Sequence, residues 1–525
     1  MVSATAIARL APPAVALIAV ALGAWRLMPG VGYWDTAEFQ TIPPILGTAH
    51  PTGYPTYVIL GWIASALLTP FGEAAVRMNL LSAILVGVAA GITVDLVRQL
   101  TRSTFVGVLA GLGLALTPTV WVIGTHADPH ALHLVFVAGL FWLLVRWEEA
   151  RRVDPSRADR WLVAAAAVTG LSAGNHSLTL LLAVPIGLYV LAAEPGVLSR
   201  RHLVAVCLAA LIIPTVLVYL ELPLRGGAIP SLEAPLVYGR PDTAAGFLYV
   251  VTGEQFRGGI NDPFGNLPGK VAALAGRAIR ELGFLAPLVM VGFVVTAIRR
   301  PAYALLTGTA MVITCFFNAA YVNADIDRYY LGPALFAWTW LAILAATGID
   351  LAVGRSLVPD EPPGGVTTVG GRRARPDPIG LAAAALAAVV LLGPAITTFP
   401  ARAAIVDRTG DRGAQLWLDD VLAELAPNAV VISWWSYSTS LWYAQQIQGR
   451  RPDIFIVDDR TRLDRNLGDL NNVIDENLPG RPVYVIRADN AELAGLMGRY
   501  NLRPLASPLA GMVFRVTARV AGAGL

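Results

Sequence analysis

Asp35 and Glu38, in the run Gly32-Tyr33-Trp34-Asp35-Thr36-Ala37-Glu38-Phe39, stand three residues apart just after the first membrane-length apolar segment. Acidic side chains at a bilayer boundary are costly unless they are paired or used. Their i, i+3 spacing puts both on one face of a helix. The turn that follows, His50-Pro51-Thr52-Gly53-Tyr54-Pro55, is stiff and aromatic: the prolines fix φ and Gly53 permits a sharp bend. Asp35 then reads as a general base for a hydroxyl at the membrane surface, with Glu38 as its supporting carboxylate. The plainer alternative is a solvated helix start, where acids are favoured in any case. His50 and Tyr54 join the pair as substrate-binding candidates.

Other polar clusters interrupt the apolar chain. Thr125-His126-Ala127-Asp128-Pro129-His130-Ala131-Leu132-His133 carries three histidines that can share a helix face. A metal site is one reading, although no H-E-x-x-H pattern supports it. Polar groups lining a cavity are the other, with Asp128 and His130 as substrate-binding candidates. Gly174-Asn175-His176 breaks an apolar run. Asn175 and His176 either cap two short helices or line a cavity, and the two readings are compatible. Arg225, in Glu221-Leu222-Pro223-Leu224-Arg225, could pair bidentately with a phosphate or simply snorkel. Asp327 and Arg328, in Asp325-Ile326-Asp327-Arg328-Tyr329-Tyr330, read as site candidates or as an ion pair within a tyrosine belt. Trp434-Trp435 and Trp442-Tyr443 could form a platform for sugar, or pack as core against the membrane part.

The elements that must position these residues follow from composition. The 525-residue chain is 55% hydrophobic and 14% charged, which calls for an integral membrane protein. Its mean hydropathy of +0.59 agrees. A net charge of +3 does not suggest a nucleic-acid partner. Cys207 and Cys315 lie inside apolar segments without metal spacing, so neither a thiolate metal site nor a disulfide framework is expected. The first apolar stretch lacks a small-x-small cleavage site and reads as an anchor helix.

Apolar runs predict about eleven spans, near 9–29, 76–98, 104–122, 129–147, 161–174, 176–194, 202–221, 282–298, 302–320, 329–352 and 379–398. The shorter piece 56–70 is expected to lie along the membrane or dip into it. With the N-terminus inside, every short inner loop is basic, as the positive-inside rule requires. The acid-pair loop (30–75), the long loop 222–281 and the C-terminus then fall outside, and a Pro/Gly/Arg-rich linker (353–378) falls inside. The weak link is 161–194: a single kinked helix there would invert everything downstream. Residues 1–400 form the membrane domain in this scheme. From about 403 the composition becomes soluble, and alternating strands and helices over 403–525 predict a small α/β domain with a mostly parallel sheet. It has no G-x-G-x-x-G fingerprint.

The run Trp34-Asp35-Thr36-Ala37-Glu38-Phe39 through Leu46-Gly47-Thr48-Ala49-His50-Pro51-Thr52-Gly53-Tyr54-Pro55-Thr56-Tyr57 resembles the first-loop motif of the protein O-mannosyltransferase-like family, multi-pass proteins related to transmembrane protein 260. Arg77-Met78-Asn79, Gly170-Leu171-Ser172-Ala173-Gly174-Asn175-His176, Leu222-Pro223-Leu224-Arg225 and Gly253-Glu254-Gln255-Phe256-Arg257 continue the likeness. So do Asn428-Ala429-Val430-Val431 and Arg451-Pro452-Asp453-Ile454. Asp128 and His130 depart from it, standing where the family has Glu and Tyr. The resemblance implies a GT-C-like α-helical polytopic membrane protein with a C-terminal α/β extracytoplasmic domain, in the plasma membrane. It also implies a glycosyltransferase of the cell envelope that uses a polyprenyl-phosphate sugar, mannose among the options. The acceptor would be a hydroxyl of a protein (Ser/Thr) or glycan. Asp35 would be the catalytic carboxylate and Glu38 its neighbour, with Arg225, Arg257 or Arg328 neutralising the leaving phosphate. Whether a divalent metal assists is left open. The alternatives are a transporter or flippase for lipid-linked sugar and a non-catalytic envelope scaffold.

Overall fold

Long apolar stretches in a bilayer fold as helices because only an internal ladder satisfies their backbone groups. The computed structural model describes residues 4–356, 377–487 and 489–520. Among them, eight helices are long and apolar enough to cross a membrane: Ala6–Trp25, Ala74–Thr101, His130–Arg151, Arg201–Ala228, Leu267–Arg299, Pro301–Ala320, Ile326–Ala352 and Pro378–Thr397. Pro55–Leu67, Thr104–Ala115 and Ser177–Ala193 are apolar but shorter. Each of the eleven expected spans falls on a helix, so the difference lies in length rather than placement. Thr104–Ala115 stops because Pro118 opens a separate turn, Pro118–Ile123. The 267–299 element is two helices joined at Gly283, whose φ of +60 turns the chain. Most of the expected 353–378 linker lies outside the described residues.

Small residues bring the helices together. A Cβ on Gly87 would stand 2.7 Å from the Ala16 carbonyl, and one on Gly91 2.9 Å from that of Pro12. The first helix thus packs with its backbone close to Ala74–Thr101.

Polar contacts at its two ends show how the segment 161–194 runs. Arg151 donates to the Ala193 carbonyl at 2.6 Å, and Arg200 donates to Asp159 at 3.0 Å. Both ends of the segment therefore sit at one side, and the chain turns back at Gly174-Asn175-His176. Arg300 joins that basic end by donating to the Leu100 carbonyl at 2.8 Å. Asp35, Asp128, His176 and Arg328 gather at the opposite end.

The C-terminal part is a five-stranded sheet flanked by helices, in the order Phe455–Val457, Val430–Ile432, Val483–Ile486, Val513–Arg519 and Tyr500–Pro504. β1 (Val430–Ile432) pairs in parallel with β2 (Phe455–Val457) and β3 (Val483–Ile486). β5 (Val513–Arg519) runs antiparallel to both β3 and β4 (Tyr500–Pro504). The expected mostly parallel sheet is thus corrected to a mixed one. Its fifth strand, β4, escapes sequence reading because it is largely exposed, lacks an apolar run and ends on Pro504.

Candidate active site

The first-loop helix, Trp34–Ile45, carries both acids. Its end is set by Pro43 and Pro44 and by Leu46 in the left-handed region, whose N–H returns to the Ile42 and Pro43 carbonyls. Buried amides fix its position. Gln40 donates to Asn79 at 2.8 Å and accepts from the Gly32 N–H at 2.9 Å. Asn79 in turn accepts from the Ala127 N–H at 2.8 Å, which ties the first loop to the Asp128 loop.

Arg328 is the hub that joins them. It donates from Nη2 to Asp35 at 2.7 Å and from Nη1 to Asp128 at 3.4 Å. Asp128 also receives His130 Nδ1 at 2.8 Å. The second Asp35 oxygen accepts the Trp435 indole N–H at 3.2 Å. Burial would raise the Asp35 carboxyl, but the charges of His50 and Arg328 and these hydrogen bonds outweigh it and hold it below the ordinary carboxylate range. Asp128 behaves alike: burial opposes ionisation, and His130 and Arg328 override it.

Glu38 is buried beneath His50. It accepts the His50 backbone N–H at 2.7 Å and a very short bond from the imidazole Nδ1. Burial pushes the Glu38 carboxyl up, against the pull of His50. Burial would lower the His50 imidazole, yet Glu38 and Asp35 lift it above its ordinary value. Among the described residues, Asp35, Glu38 and His50 are also the group whose ligand atoms, all within 4.8 Å of one another, could hold a metal ion. The three histidines of 126–133 do not form such a group.

Asp35 opens into a cavity of about 810 Å³. His50, Tyr54, His176, Arg257 and Arg328 line it with Asp35, and Leu180, Leu181, Ile260, Phe317 and Val322 give it an apolar side. Arg257 donates to Thr252 at 2.8 Å and pairs with no acid among the described residues. The soluble part closes the cavity with Trp435, Asp458, Asp459 and Arg460.

Several candidates sit elsewhere. Asp128 and His130 are buried behind Arg328 and do not reach the cavity. Asn175 donates to the Pro129 carbonyl at 3.2 Å and braces the turn rather than lining the cavity. Asp327 points away and pairs with Arg277 at 2.5 Å. Arg225 is absent from the cavity wall. Its Nε donates to the Leu46 carbonyl at 2.7 Å and its Nη2 to that of Ile45 at 3.2 Å, so it clamps the end of the first-loop helix. Arg225→Ala is therefore expected to lower thermal stability and leave the KM for a lipid-phosphate donor within about two-fold. A large rise in that KM with unchanged stability would return Arg225 to the phosphate.

Sequence reading missed Arg460 and the Asp458-Asp459 pair. Asp458 caps a short helix by accepting the Thr461 N–H at 2.7 Å, and Arg460 lies over the Tyr249 ring at 4.2 Å. The available signal is position: they follow β2 directly, at the carboxyl end of a parallel strand, where α/β folds place ligands.

Residues 35–197 match the family model for the protein O-mannosyl-transferase TMEM260 N-terminal domain. The mouse protein O-mannosyl-transferase TMEM260 is 34% identical over 177 residues, covering 33% of this chain and 23% of that protein. Its Dictyostelium discoideum counterpart is 26% identical over 132 residues, covering 25% of this chain and 16% of the other. The match thus spans less than a quarter of the length of either relative. ArnT from Cupriavidus metallidurans bound to undecaprenyl phosphate superposes with a TM-score of 0.55 at 15% identity, over 99% of both chains. Archaeal oligosaccharyltransferase AglB from Archaeoglobus fulgidus, in complex with an inhibitory peptide and a dolichol-phosphate, gives 0.53 at 15% identity over 97% of this chain and 74% of its own. The resemblance expected from the first-loop motif is borne out, and the chain has the GT-C fold: a polytopic helical membrane domain with a small C-terminal α/β unit.

Proposed function

We propose that this chain is a membrane glycosyltransferase that moves a sugar, mannose by analogy with its relatives, from a polyprenyl-phosphate donor to a Ser or Thr hydroxyl of a protein. The observation that carries this reading is the setting of Asp35: an ionised carboxylate facing a cavity that is apolar on one side and holds Arg257 and Arg328. A prenyl tail fits the apolar side, and its phosphate fits the two guanidinium groups. Asp35 takes the proton of the acceptor hydroxyl as its oxygen bonds to the anomeric carbon. The bond from that carbon to the phosphate oxygen breaks, and its electron pair leaves with the phosphate, whose charge Arg257 and Arg328 offset. A single displacement inverts the anomeric centre.

The names of the mouse and Dictyostelium relatives support the sugar and the acceptor, and the lipid phosphates bound by the two structural neighbours support the donor. The basic end of the helices belongs inside by the positive-inside rule, which puts the cavity and the soluble domain on the extracytoplasmic side of the plasma membrane.

The test is direct. Purified protein in lipid nanodiscs is given radiolabelled polyprenyl-phosphate mannose and a Ser/Thr-rich peptide. Labelled peptide that disappears on Ser/Thr→Ala substitution is the expected result. Donor that binds but stays intact with every peptide, protein and glycan acceptor offered would defeat the reading.

A further inference from the structure

The soluble domain does more than cover the cavity. β1 ends at Ile432, and the chain passes through Ser433 and Trp434 into the helix Trp435–Gln446. Trp435 thus leaves the carboxyl end of a parallel strand, as do Asp458 and Arg460 after β2. That sheet edge faces the membrane cavity. The helix is fastened to the first loop at several points. Ser440 donates to the Gly32 carbonyl at 2.8 Å, the Ala75 N–H donates to the Tyr443 hydroxyl at 3.1 Å, and Trp434 meets Trp34 edge-on at 5.3 Å. Trp435 itself is wedged among rings, with His50 at 5.5 Å, Tyr238 at 5.6 Å and Trp442 at 5.7 Å, all near perpendicular. An indole held this way has little freedom, and its one donor is directed to Asp35.

We propose that Trp435 is a positioning residue of the transfer site: the soluble domain fixes the plane of the Asp35 carboxylate through the indole N–H, so the site is complete only when that domain is docked. This rests on the reading of Asp35 as the general base. Arg328 holds one carboxylate oxygen and Trp435 the other. A carboxylate has about four acceptor directions, so two bonds orient it and still leave room for the acceptor proton. Without the indole N–H, the carboxylate turns about its bond to Cβ and also loses a hydrogen bond that favours its ionised form.

The experiment compares the full-length protein with Trp435→Phe, and with 3-benzothienylalanine at 435, which replaces the N–H by sulfur at nearly constant volume. Trp62→Phe is the control, because that indole is exposed on the helix Pro55–Leu67 and lies outside the cavity wall. Expected for both Trp435 replacements is a fall in kcat of about ten-fold, an unchanged KM for the lipid donor, and an acidic limb of the pH–rate profile moved to higher pH. That direction follows because losing a donor raises the pKa of the base, which must be deprotonated to act. The Trp62→Phe protein should match wild type. If the benzothienyl protein, which preserves packing, has wild-type kcat and an unmoved acidic limb, the inference is overturned. Asp35→Asn measured alongside separates the two failures. An active Asp35→Asn protein defeats the general-base reading, whereas an inactive one beside a fully active benzothienyl protein defeats only the role of Trp435.

Discussion

If the proposed reaction holds, Asp35→Asn should lower sugar transfer by at least about a hundred-fold, since removing a general base forfeits a factor of roughly 10² to 10⁴. The protein stays folded and inserted. Asn is nearly isosteric with Asp, and its amide can turn its one oxygen toward Arg328, which keeps Asp128 as a second partner at 3.4 Å. The lipid donor still binds, because the apolar side of the cavity and Arg257 are untouched. Initial-rate assays with separate donor-binding measurements make the comparison. Transfer at the wild-type rate would remove Asp35 from the chemistry. Glu38→Gln is milder, at roughly ten-fold: Glu38 sits beneath His50, and a glutamine keeps one acceptor for the His50 backbone N–H.

Asp35 was legible from the sequence because its cost is local. An acid placed directly after an apolar segment, with a rigid turn behind it, asks for a partner whatever the fold. Its partners were not legible in the same way. Arg328 lies 293 residues away and Trp435 400 residues away. Nothing in the periodicity of either segment distinguishes a guanidinium that faces a cavity from one in a surface pair. Asp327 and Arg328 show the difficulty. They are neighbours in one tight turn, yet one faces Arg277 outside and the other faces Asp35 and Asp128. Arg225 misled for the converse reason: a guanidinium at the end of a span suited a phosphate, but the groups it satisfies are backbone carbonyls, which any sequence provides. The helices were placed well because hydrophobic length is itself the physical requirement for spanning. The direction of the last strand pair was not, since β4 and β5 close by a hairpin that the alternation of strands and helices before them does not announce.

Removing the hub gives the other large effect. Arg328→Met takes the guanidinium from the two carboxylates of the site and from the exposed Asp325, leaving Asp128 nearly sealed from solvent with His130 as its close partner and Asp35 with the Trp435 N–H. Breaking a buried ion pair from one side costs about 3–5 kcal/mol, and most of it falls on Asp128, the better buried of the two. The protein should therefore inactivate at a clearly lower temperature. The loss of Arg328 also raises the pKa of Asp35, so any remaining activity shifts toward higher pH. Adding Asp128→Asn to Arg328→Met removes the stranded charge and should restore much of the thermal stability, but not transfer, because the donor phosphate still lacks one of its two cations. Arg328→Lys keeps the charge and loses the fork: a single ammonium cannot occupy the positions of Nη1 and Nη2, which serve the two acids separately. It should hold stability close to wild type while raising the donor KM about ten-fold, the scale of one weakened charge-assisted bond. Thermal inactivation and steady-state kinetics on the four proteins, wild type included, decide the matter. If Arg328→Met keeps both wild-type stability and wild-type donor affinity, Arg328 neither braces the acids nor meets the phosphate. If the double variant recovers transfer along with stability, Arg328 serves only the fold, and Arg257 is left as the cation for the leaving phosphate.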